Sequence, residues 1–105
     1  MAWVYLIFAG LFEIGWPVGL KMAQEDSTRI LGIILAVSFM SVSGLFLWLA
    51  QKQIPIGTSY AVWTGIGAAG TFLVGVVFYG DPNSLARYLG IILIVSGVAT
   101  LKFAQ

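Results

Sequence analysis

The nine charged side chains of this chain are so unevenly spread that they divide it into four apolar runs, each close to membrane length. Crossing roughly 30 Å of hydrocarbon takes about 20 mostly apolar residues. The first run covers about residues 3–21, and QEDSTR (Gln24 to Arg29) forms a polar turn after it. The second covers about 30–49 and is closed by QKQIPIGTS, with Lys52 and Pro55 as breakers. The third, about 57–79, carries no charge and ends at the turn signal GDPNS, residues 80–84. The fourth, about 86–103, has Arg87 and Lys102 near its ends, where their long stems can reach the interfaces. Trp3, Tyr5, Tyr79 and Tyr88 also fall near predicted helix ends, the usual place for interfacial aromatics. The expected fold is all-α: an integral membrane protein with four transmembrane helices in one domain over residues 1–105.

Composition excludes several classes. Only 9% of the residues are charged, against about 25% in a globular domain. The chain has neither cysteine nor histidine, which removes disulfides, the usual zinc sites and histidine or cysteine catalysis. No metal, cofactor or enzymatic activity is expected. A net charge of +1 argues against a nucleic-acid partner. The start lacks a basic segment and a small-residue cleavage site, so the first run is expected to remain a membrane helix.

Short connections make sequential helices antiparallel neighbours. The side holding the termini and the second turn then has two basic residues, Lys52 and Lys102, while the other has three, Lys21, Arg29 and Arg87. A difference of one orients a chain weakly by the positive-inside rule. Insertion both ways round would permit an antiparallel homodimer, an inverted repeat of the kind secondary transporters use. The alternative is that one residue of bias, or the free amino terminus, suffices to fix a single orientation. Four helices enclose little volume, so a transport pathway calls for a second copy.

Within the first run, AWVYLIFAGLFEIGWPVGL, the only charge is Glu13. An acid near the bilayer centre costs at least about 2.5–3.5 kcal/mol, which points to function. One turn away lie Ala9 and Gly10, small enough for a helix to approach, and Trp16, whose indole N–H can donate to the carboxylate or simply pack as an aromatic. Pro17 has no N–H for the carbonyl of residue 13 and is expected to bend the helix there, unless neighbours compensate. The second run has Ser38, Ser41, Ser43 and Gly44 in its middle. In the third, Tyr60, Trp63, Thr64, Gly67 and Thr71 fall along one helical face, with aromatics able to wall a cation site. In the fourth, Gly90 and Gly97 share a stripe suited to a helix–helix dimer contact. Hydrocarbon surroundings favour a neutral carboxyl group, whereas an adjacent cation favours the carboxylate. Proton and cation therefore compete for one acid, the minimum chemistry of an antiporter.

Taken together, the four runs, Glu13, and Gly90 with Gly97 resemble the small multidrug resistance family over essentially the whole chain. FEIGW with GLK (Phe12 to Lys21) and PIGTSYAVWTGIG (Pro55 to Gly67) resemble its guanidinium exporter branch most closely. The resemblance implies a dual-topology antiparallel homodimer in the cell inner (plasma) membrane. It further implies proton-coupled export of guanidinium ion or small guanidinyl cations by alternating access at a single site. Carried over by position, Glu13 would bind both substrate and proton, Trp16 and Ser43 would hydrogen-bond the acid, and Tyr60 and Trp63 would line the site. Tyr60 would also change partners between access states. Gly15-Trp16-Pro17 and a second helix rich in Ser, Gly and Met depart from that branch and widen the expected substrates to guanylurea-like or alkylated cations. The alternative is a broad exporter of quaternary ammonium and other lipophilic cations, which offer no N–H to the donors around the acid. A proton-carrying ring subunit or a small channel fits less well: the former is typically a two-helix hairpin with its acid on the last helix, and the latter needs no titrating acid.

Overall fold

The computed structural model describes residues 1–104. Among these residues there are four α-helices: α1 (Ala2–Met22), α2 (Arg29–Ala50), α3 (Ile56–Phe78) and α4 (Leu85–Ala104), with a single 3-10 turn at Asp26–Thr28. All four are long and apolar enough to cross a membrane. At 1.5 Å per residue they span about 30–35 Å, a good match to the hydrocarbon thickness.

Helix α1 is the centre of the arrangement, packing on α2 along one side and on α3 along the other, while α4 packs chiefly on α3. Near the α1–α2 turn, glycine permits the approach: a Cβ at Gly32 would run into the Gly19 carbonyl and the Ala23 amide. The two backbones meet directly there, as small residues allow in membrane helix pairs. At the opposite end of α1, Ala2 and Leu6 join Ala50, Ile54 and Val62 in a buried cluster. Between these ends, Tyr5, Phe8 and Phe12 recur at helical spacing and meet Phe46 and Phe39 of α2, with ring centroids 5.7–6.0 Å apart. Pro17 lies inside α1, which continues through it to Met22.

The first turn satisfies the carbonyls left free where α1 ends. Thr28 donates its hydroxyl to the Met22 carbonyl at 2.6 Å, and Arg29 Nε donates to that of Ala23 at 3.1 Å. Arg29 also pairs with Asp26 at 2.9 Å. The three lysines each stand over an aromatic ring: Lys52 on Trp48 at 4.6 Å, Lys102 on Trp3 at 4.7 Å and Lys21 on Tyr79 at 5.8 Å from the centroid. Such pairs hold a charged head at the water interface while its stem covers apolar surface.

Helix α4 is the least covered of the four. None of its described residues is buried, and Gly90 and Gly97 have no other group within 4 Å of where a Cβ would stand.

Candidate functional site

Glu13 lies midway along α1, and Gly67 midway along α3 faces it. A Cβ at Gly67 would fall on Glu13 Cγ, so the glycine supplies the space in which the acid lies. Trp16, one turn further along α1, donates its indole N–H to Glu13 Oε1 at 2.5 Å. That bond occupies one carboxylate oxygen and leaves the rest of its acceptor capacity free. Among the described residues the one ion pair is Arg29–Asp26, so no basic side chain neutralises Glu13. The acid opens into a groove of about 340 Å³ lined by Glu13, Pro17, Thr64, Gly67, Ala68 and Thr71. Thr64 turns its hydroxyl back to the Tyr60 carbonyl of its own helix.

The other expected residues form a second, adjoining group. Ser43, fully buried on α2, donates its hydroxyl to the Ala9 carbonyl at 2.7 Å and accepts the Trp63 indole N–H at 2.8 Å. The expected Ser43 contact with the carboxylate is therefore replaced by one with the backbone a turn away. The physical reason is Ala9, itself fully buried, whose single methyl group lets α2 come within hydrogen-bond reach of the α1 main chain. That same carbonyl is the helical acceptor for the Glu13 amide, so the chain Trp63–Ser43–Ala9 ends on the acid's own backbone. Tyr60 stacks obliquely beside Trp63, at 5.5 Å between centroids, and is largely exposed. The structure thus brings Glu13 and Trp16 together and links Ser43, Trp63 and Tyr60 in a neighbouring row. Gly90 and Gly97 lie on α4, and neither lines the groove beside Glu13.

Two participants escape a reading of sequence. The Ala9 carbonyl carries no side-chain signal at all. Gly67 was legible only as one small residue on the polar face of the third helix; its facing of Glu13 depends on the relative register of α1 and α3.

Fold and site together define a class: a multi-pass membrane protein with an acid midway along a membrane-length helix, without an ion-pair partner among the described residues and open to a largely apolar groove. A sequence model of the family described as Small Multidrug Resistance protein matches residues 1–94, and the chain belongs to that family. Its relatives include a protein named guanidinium exporter from Yersinia pseudotuberculosis, 46% identical over 105 residues and the full length of both chains. A protein of the same name from Proteus vulgaris is 44% identical over the full length of both. Another, from Salmonella typhimurium, is 42% identical over 104 residues, covering 99% of this chain and 98% of its own. These relatives are named for transport rather than for an enzymatic reaction.

Proposed function

We propose that this protein exports guanidinium ion or small guanidinyl cations in exchange for protons, with Glu13 as the site that both occupy. The observation that carries this is the unneutralised Glu13 carboxylate, held by Trp16 and set into the space over Gly67. A guanidinium ion is planar and presents N–H donors in a fixed fork, which suits carboxylate oxygens approached from an open groove. The names of the relatives agree with that substrate.

The exchange follows from charge. A cation entering the groove favours the carboxylate and displaces its proton; a proton arriving from the other side releases the cation. Coupling holds as long as the two never share the acid. Trp16 positions the carboxylate, and the Trp63–Ser43–Ala9 row steadies the α1 backbone behind it. The working unit is an antiparallel homodimer of two inversely inserted copies in the inner membrane, which brings two Glu13 side chains to one alternating-access pathway. Support comes from the near balance of basic residues between the two faces and from α4, whose outer surface the chain itself leaves uncovered.

Proteoliposomes test this directly. A guanidinium gradient should drive proton movement in the opposite direction, and Glu13→Gln should reduce both fluxes to those of empty vesicles. Guanidinium flux that persists in Glu13→Gln, or that runs without proton movement, would sink the proposal. Currents with tetraethylammonium but not guanidinium would assign the protein to the quaternary ammonium exporters instead.

A further inference from the structure

The Glu13 groove has a neighbour beyond Thr71. A second cavity, of about 180 Å³, shares Pro17 and Thr71 with it and extends to Lys21, Gly75, Tyr79 and Asp81. With a water occupying about 30 Å³ of liquid, this space accommodates a small planar cation. The two cavities adjoin at Pro17 and Thr71 and together mark out a path between α1 and α3, from Glu13 to the α3–α4 turn.

Each end of that path has a carboxylate resting on a glycine of α3. Glu13 lies against Gly67, and Asp81 lies against Gly75, where a Cβ would fall on Asp81 Oδ2. The two glycines are eight residues apart, so the acids are separated by about 12 Å along the helix axis. The turn is built to hold the outer acid there. Gly80, at φ +67°, reverses the chain, and the Asp81 amide then donates to the Gly75 carbonyl at 3.1 Å. Asp81 makes no ion pair among the described residues. Beside it the Tyr79 ring already attracts a cation, the Lys21 ammonium at 5.8 Å.

We infer that Asp81 and the Tyr79 ring form an outer docking site for the transported cation, on the path to Glu13. A carboxylate and an aromatic face are the two groups that recognise a planar guanidinium. Lys21 is its built-in competitor: it occupies the ring when the site is empty and must yield it to the arriving cation. The inference rests on the proposed transport at Glu13. In an antiparallel pair, the α3–α4 turns lie on opposite membrane faces, so each face presents one such site.

The test is guanidinium flux in proteoliposomes, measured against concentration at about 0.01 M and about 0.5 M ionic strength, where screening lengths differ severalfold. Asp81→Asn should raise KM about three- to fivefold at low ionic strength, the effect of one charge a few ångströms away in water. The maximal rate should stay within about twofold, and the KM difference should shrink to about twofold or less at the higher ionic strength. Asp81→Glu should restore the wild-type KM. Lys21→Met should lower KM, which keeps the inference testable even where Asp81→Asn fails to insert. An unchanged KM in Asp81→Asn overturns the docking role, as does a loss of maximal rate at constant KM. An unchanged or raised KM in Lys21→Met removes the competitor. Failure of the transport proposal is separate, because it would appear as absent flux in the unsubstituted protein.

Discussion

The Trp63–Ser43–Ala9 row makes a quantitative demand that a thermodynamic cycle can meet. Ser43→Ala removes two interhelical hydrogen bonds, at 2.7 Å and 2.8 Å, from a fully buried position. Such bonds average about 0.6 kcal/mol in membrane proteins and reach about 1.7 kcal/mol. The Ala9 carbonyl still has its helical partner, the Glu13 amide, so its share of the loss is small. The Trp63 indole N–H has no other acceptor among the described residues, and an unmatched donor costs about 1–3 kcal/mol. Ser43→Ala should therefore destabilise the protein by about 1–3 kcal/mol, mostly through the stranded indole. Trp63→Phe removes that donor, so Ser43→Ala should cost less in the Trp63→Phe background, with a coupling of about 0.6–1.7 kcal/mol. Reversible unfolding of the four variants in mixed micelles would measure it. Additivity within about 0.3 kcal/mol would refute the row as an energetic unit.

Two further substitutions probe the close approaches. Gly67→Ala places a methyl group on Glu13 Cγ and should lower guanidinium flux at least about tenfold while helix content stays unchanged, since overpacking a tight site displaces the group it meets; flux within twofold of the unsubstituted protein would show that the acid does not need this space. Gly32→Ala meets backbone atoms of Gly19 and Ala23 rather than a flexible side chain, so α1 and α2 must separate. Its expected loss of stability is about 1–3 kcal/mol in the same unfolding measurement, and a loss below about 0.5 kcal/mol would contradict the direct backbone contact.

The four-helix plan was legible because charge is the feature a bilayer tolerates least, and here charge marks the turns. Glu13 and Trp16 were legible as partners because both lie on one helix, three residues apart, where geometry is local. Ser43 was not. Its hydroxyl has to choose between a carboxylate and a carbonyl one turn away, and that choice depends on how closely α2 lies against Ala9. The Asp81 turn was equally hidden: GDPNS reads as a plain loop, and its fold back onto Gly75 depends on where α3 ends. In each case the missing information is the register between helices, which short-range spacing does not contain.

Helix α4 carries a consequence for how the stability of this protein is measured. Two glycines within a helix forgo about 1 kcal/mol each relative to alanine, and among the described residues no neighbouring helix stands within 4 Å of a Cβ at Gly90 or Gly97. Replacing either with alanine should leave the isolated chain as stable or more so. In the proposed antiparallel pair that cost would be recovered only between copies, and stability measured on separated protomers will be blind to it.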